Sequence, residues 1–138
     1  MLSKTQSRLA WALQIIAAII MGQTLFFKFT GAPEPVYIFT TLGAEPFGRW
    51  FAGVSELVAV ILLLIPSTAG LGALFSIGVM SGAILAHLTK LGIVVLDDGG
   101  LLFGMGVLVW VACAVVVWLR RGELLAQAQM LRQKFLPF

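Results

Sequence analysis

Four apolar runs constrain this chain more than any other feature. They cover residues 9–28, 48–65, 69–91 and 101–119, each close to the roughly 20 residues a helix needs to cross a bilayer core. Only 11% of the residues are charged and 60% are hydrophobic, where an ordinary soluble domain carries about 25% charge. A chain of 138 residues has too much surface to be kept wet by so few charges. That excludes a soluble enzyme and a disordered tail. Helix is the expected conformation, because a backbone facing lipid must satisfy its own polar groups. The alternating ten-residue segments of a membrane barrel are not visible.

The expected fold is therefore all-α. It is a single integral membrane four-helix bundle over residues 1–138, with a polar tail at 120–138. Lys4 and Arg8 precede the first run as they would in a signal peptide. The run is too long for one, however, and no small-residue cleavage site follows before Gln23 and Lys28, so it reads as a retained helix. Lys4, Arg8, Arg120, Arg121, Arg132 and Lys134 share one side against the single acid Glu123. The other side sets Lys28, Arg49 and Lys90 against Glu34, Glu45, Asp97 and Asp98. The positive-inside bias puts both termini in the cytoplasm of a multi-pass protein of the bacterial inner membrane.

The connections differ. Pro66, Ser67, Thr68, Ala69 and Gly70 form a tight cytoplasmic turn, where Pro ends one helix and a hydroxyl caps the next. The outer loop holds three of the five prolines, and Glu34-Pro35 followed by Val36, Ile38, Phe39 and Leu42 predicts a short helix on the membrane surface. After Arg121, Leu124, Ala128, Leu131 and Phe135 fall on one helical face, which predicts an interfacial helix on the anionic inner leaflet.

The net charge of +3 is scattered and makes no phosphate-binding stripe, so no nucleic-acid partner is expected. With one cysteine, Cys113, the chain can build no intrachain disulfide, CxxC pair or structural zinc site. With one histidine, His87, it can build no multi-histidine metal or bis-histidine haem site. No metal and no covalently bound cofactor is expected.

Charged groups at membrane depth cost at least a few kcal/mol each, so each needs a reason. Gln14, Thr24 and Lys28 share one helical stripe with Ala17 and Met21. Glu56 shares a face with Ala52, Gly53 and Ala59, and His87 lies on the stripe of Ser76, Met80, Ala83 and Lys90. A rise of about 1.5 Å per residue puts Lys28 and His87 near the outer boundary and Glu56 roughly 10 Å below it. Three ionisable groups from three helices thus converge in the outer half of the bundle. Lys28, Glu56, His87, Met80 and Thr24 are the candidate ligand-binding residues, and Glu56 and His87 the catalytic candidates. Each also has a structural reading. Lys28 can snorkel to the headgroups, His87 can cap a helix end, and a Lys28–Glu56 ion pair can hold the helices in register.

Gly78, Gly82 and Ala86 repeat every four residues, a spacing that lets helices approach closely within one chain or across a homo-oligomer seam. Asp97, Asp98, Gly99 and Gly100 read as a solvated turn, or as acids near Lys90 that gate an outer opening.

The order of these features resembles the DoxX-like family of small four-helix membrane proteins. The matching pieces are Gly22 to Thr30 (GQTLFFKFT), the Gly43 turn, Gly53-Val54-Ser55-Glu56-Leu57, Ile65-Pro66-Ser67-Thr68-Ala69, the small-residue helix from Gly70, and Ala86-His87-Leu88. The resemblance spans roughly residues 9–119. Its polar positions are Lys28, Glu56 and His87, the same three that depth selects. It implies a redox-associated subunit, since the family takes its name from a subunit linked to thiosulfate:quinone oxidation. The chain carries no outer-side cysteine, so any thiol chemistry belongs to a partner protein.

Three functions follow. The first is a redox-associated subunit with an outer-half pocket for a quinone or similar lipophilic molecule, working with a redox partner. In it Glu56 accepts a proton, His87 shuttles or bonds it, and Lys28 stabilises the carboxylate or a reduced anionic ligand. The second is a small proton-coupled transporter using Glu56, and the third a non-catalytic assembly protein.

Overall fold

The computed structural model describes residues 2–138, all helix and connecting turns. Helix α1 runs Lys4–Thr30, α2 Pro33–Thr41 and α3 Phe47–Leu64. A 3₁₀ turn at Pro66–Thr68 leads into α4, Ala69–Ala86, which continues as a π-helical turn at His87–Leu91. Helix α5 spans Leu101–Leu119 and α6 spans Arg121–Phe135. Four segments are long and apolar enough to cross a bilayer: α1, α3, Pro66–Leu91 and α5. Such a chain makes a multi-pass membrane protein.

The first helix starts five residues before its apolar run because Ser3 and Gln6 form a capping box. The Gln6 N–H donates to Ser3 Oγ at 3.1 Å, and the Ser3 N–H donates to Gln6 Oε1 at 3.0 Å. It ends at Gly31, whose φ of 70° is the left-handed C-cap that glycine supplies without strain. Pro33 opens α2, where its missing N–H costs nothing.

The four spanning helices form a square in which α1 and α4 each pack between α3 and α5. The start of α1 and the end of α5 lie at one end of the square, here the terminal end. The segments 31–46 and 92–100 lie at the other, the loop end. The interior mixes small side chains, Ala17, Ala59, Ala73 and Cys113, with Met21, Leu63, Val109 and Val116. Large apolar side chains such as Phe26, Phe51, Leu85 and Trp118 stay exposed on the outside. That apolar exterior is the face that lipid solvates.

Polar bonds and one close approach hold the terminal end together. Pro66 has no N–H for the Leu62 carbonyl, and Thr68 Oγ1 donates to it instead at 2.9 Å. The Leu63 carbonyl, left over at the end of α3, accepts from Gln14 Nε2 at 2.9 Å, while Gln14 Oε1 accepts from Arg120 Nε at 2.7 Å. Arg120 also pairs with Glu123 at 3.2 Å and lies over the Trp11 ring, so the start of α6 is tied to α1 and α3. Its side chain, counted in the sequence among the flanking charges, is buried. Helices α3 and α4 touch at Gly72, where an added Cβ would lie 2.6 Å from the Leu63 nitrogen. The close approach predicted for the Gly78–Gly82 stripe is not there, since a Cβ at either glycine meets nothing within 4 Å. Both are exposed.

Candidate functional site

At the loop end the polar residues meet. Lys28, one turn beyond Thr24 on α1, places Nζ 3.0 Å from Glu56 Oε2 on α3 and donates to Thr24 Oγ1 at 3.2 Å. The Thr24 hydroxyl lies 3.0 Å from Glu56 Oε2 and 2.8 Å from the Met21 carbonyl, both acceptors for its one proton. Both charged side chains are largely buried, at 14% and 8% exposure, so the pair is a desolvated one. Helices α1 and α3 come close enough for this because Gly53 leaves room for the Phe29 ring, 2.9 Å from where a Cβ would sit.

Arg49 sets the position of the pair. Its Nε bonds both Glu45 oxygens, at 2.9 and 3.0 Å, and its Nη1 donates to the Lys28 carbonyl at the C-terminus of α1. In the sequence Arg49 reads only as a flanking charge. The signal that marked it was the i,i+4 spacing to Glu45.

His87 opens the π-helical turn and is buried at 6% exposure. Its Nδ1 lies 2.9 Å from the Gly92 carbonyl, and the Phe103 ring of α5 meets it edge-on at 5.6 Å between centroids. The loop back to α5 is organised by Asp98, whose carboxylate accepts the backbone N–H groups of Val95, Gly100 and Leu102 at 3.0, 2.8 and 3.1 Å. Asp98 is thus a backbone anchor and does not pair with Lys90 as a gate. The Val95 N–H above all holds its carboxyl below the ordinary value of 3.8. The Leu102 and Gly100 N–H groups and the nearby His87 ring act in the same sense, against the opposing effect of burial. A lowered carboxyl stabilises the fold above the unfolded value and loses that contribution as pH falls through the folded one. Asp98→Ala is therefore expected to cost about 1 kcal/mol at neutral pH, the ordinary worth of a cap. Thermal unfolding of the purified protein should show the gap between variant and wild type closing below pH about 3.8.

A cavity of about 660 Å³ occupies the loop half of the square. Thr24, Lys28, Glu56, Met80 and His87, the five residues singled out from sequence, all border it. Helix α2 contributes Glu34 and Phe39 to its wall, and Asp98 also reaches it. Phe51 of α3 and Gly78 and Gly82 of α4 border it too and are exposed, so the cavity wall is open to the outside there, as it is at Gln23 and Phe27 of α1.

Among the described residues, neither Glu56 Oε1 nor His87 Nε2 has a hydrogen-bond partner. The side-chain polar atom that is sealed off without a partner, among the described residues, is Arg120 Nη2 at the other end of the bundle. Glu56 Oε1 and His87 Nε2 therefore remain reachable, through the cavity their side chains border. Among the described residues no three or more His, Cys, Asp or Glu side chains cluster as a metal site would require.

No protein-family model matches the chain, and neither a curated protein nor a solved structure is significantly similar to it.

Proposed function

We propose that this chain is a DoxX-like, redox-associated subunit of the bacterial inner membrane that holds a lipophilic ring ligand of the quinone class. The observation that carries this reading is the convergence of Thr24, Lys28, Glu56, Met80 and His87 on one cavity of about 660 Å³. Sites for drug-sized ligands run from about 300 to 1,000 Å³ and pair an apolar wall with a few convergent polar groups. Phe27, Phe39 and Phe51 supply aromatic wall, and the polar groups supply ring-oxygen partners. Lys28 Nζ uses two of its three N–H bonds on Thr24 and Glu56 and keeps a third for the ligand. The exposed glycines beside Phe51 suit sideways access from the bilayer, where such a ligand dissolves. When bound, a quinone supplies reversible two-electron, two-proton carrier chemistry. The residues of this chain bind and orient it, with Glu56 and His87 placed to hold a proton at its edge. A redox partner protein supplies or receives the electrons.

In this picture both termini lie in the cytoplasm. Helix α6 rests on the inner leaflet with Arg132 and Lys134 toward anionic headgroups, and α2 roofs the cavity at the outer surface.

Mass spectrometry of solvent extracts from the purified protein tests the reading. A quinone is expected to co-purify with the wild type. Its amount should fall about tenfold in folded Glu56→Ala, from loss of one charge-assisted bond. Wild-type occupancy in that variant removes the role of Glu56, and failure of the wild type to retain or take up added quinone removes the reading. Gly82→Leu, which plugs the side opening without a steric clash at Cβ, is expected to slow quinone uptake at least about tenfold with little change in stability.

The Lys28–Glu56 pair at 3.0 Å supports a second reading, a scaffold whose ion pair locks α1 to α3.

A further inference from the structure

We infer that the cavity is built to receive ring hydroxyls, so that the reduced, dihydroxy form of its ligand binds more tightly than the dicarbonyl form. His87 Nε2 and Glu56 Oε1 are the receiving atoms. This rests on the reading of the cavity as a ring-ligand site and specifies which member of the redox couple it holds.

A carbonyl oxygen can only accept a hydrogen bond, so the 2.9 Å contact between His87 Nδ1 and the Gly92 carbonyl places a proton on Nδ1. The neutral imidazole then carries a bare lone pair on Nε2. The local backbone imposes this tautomer. The helix widens into a π turn over His87–Leu91 and stops at Gly92, whose φ of 77° lets the chain fold back beside the ring. The Phe103 edge holds the ring from the other side. In its neutral form, with the proton on Nδ1, His87 accepts a hydrogen bond through Nε2 and has no second N–H to donate.

Glu56 points the same way. Both Lys28 and Thr24 bond to Oε2, which leaves Oε1 as an acceptor carrying carboxylate charge. The Asp98 carboxylate already takes three backbone N–H groups and offers no donor. Against these acceptors stand the third N–H of Lys28, the Gln23 amide, which spends one N–H on Met105 Sδ at 3.8 Å, and the hydroxyl of Ser55, which can donate or accept. The charged and imidazole edge of the cavity is therefore dominated by lone pairs. A dicarbonyl ring would set its own lone pairs against them, whereas a dihydroxy ring brings an O–H to each. A site built to bond a ligand hydroxyl discriminates strongly against an analogue that lacks it, because its own buried polar groups are then left unpaired.

Each such bond is worth roughly tenfold in affinity. A tenfold preference for the reduced form raises the midpoint potential of the bound couple by about 30 mV.

Anaerobic calorimetric titration of the purified protein in lipid nanodiscs tests this. The three probes are trimethylhydroquinone, trimethylbenzoquinone and the dimethyl ether of the hydroquinone. The hydroquinone is expected to bind at least about tenfold more tightly than either of the others, which lack O–H donors. In His87→Gln the amide can still reach the Gly92 carbonyl and can offer the ligand either a donor or an acceptor. The hydroquinone-to-quinone ratio should fall toward one there, with quinone affinity undiminished. Equal affinities in the wild type, or a preference for the quinone, overturn the inference and leave the ring-ligand reading standing. A preference that survives intact in folded His87→Gln overturns the role of His87. If none of the three probes binds the wild type, the ring-ligand reading falls and this inference with it. The wild-type comparison decides the selectivity even if His87→Gln fails to fold.

Discussion

Glu56→Leu, with Lys28 left in place, is expected to destabilise the protein by about 3–5 kcal/mol. That is the usual cost of stranding one member of a buried ion pair. The Lys28 ammonium keeps only the Thr24 hydroxyl, which in turn donates only to the Met21 carbonyl. The double variant Lys28→Met with Glu56→Leu should recover most of the loss, because two apolar side chains of similar volume replace two desolvated charges. Unfolding of these three proteins and of Lys28→Met in one detergent, followed by circular dichroism, measures the coupling. A single variant as stable as wild type would mean that Lys28 escapes to the headgroups and that the pair contributes little. The double variant also separates the two functional readings. A scaffold keeps its cellular role once the fold is restored, whereas a ligand site loses its occupant despite a restored fold.

The second large effect is expected at Gly72. An added Cβ there would lie 2.6 Å from the Leu63 nitrogen and 2.7 Å from the Leu62 carbonyl carbon. Both are backbone atoms of α3, so no side-chain rotation relieves the overlap and the helices must separate. Separation would strain the bonds from Gln14 and Thr68 to the Leu63 and Leu62 carbonyls as well as the packing. Gly72→Ala is expected to cost about 3 kcal/mol, the upper part of the usual range for overpacking, despite the better helix propensity of alanine. Gly78→Ala on the same helix meets nothing within 4 Å and should be neutral or stabilising by up to about 1 kcal/mol. Melting temperatures of the two variants provide the check. Similar values would mean that α3 and α4 do not approach at Gly72.

Several elements were legible because their signals are local. The span at 101–119 was read to the residue, since both its ends are marked by a change from apolar to polar sequence. The start of α1 was missed by five residues because the capping box at Ser3 and Gln6 extends the helix through a polar stretch that hydropathy ignores. Thr24, Lys28 and Glu56 were found by asking which polar groups are costly in lipid, and the structure brings them within hydrogen-bonding distance. The same question did not reveal what Arg49 and Arg120 bond to. Each lies near a predicted boundary, where a positive charge also has a plain explanation in the headgroups. Asp98 looked like solvated turn because its partners are backbone N–H groups, which carry no residue-type signal.

The sequence by itself determined that this chain crosses a membrane as helices, and which polar side chains a bilayer would force inward. Both follow from transfer energies that each segment carries alone. Only the tertiary structure decided that those side chains border a cavity. Helices α3 and α4 meet backbone to backbone at Gly72, whereas Gly78 and Gly82, which border the cavity, have nothing within 4 Å of an added Cβ. The position of that contact along two helices is set by packing between distant segments, and the space left beyond it is what the candidate site occupies.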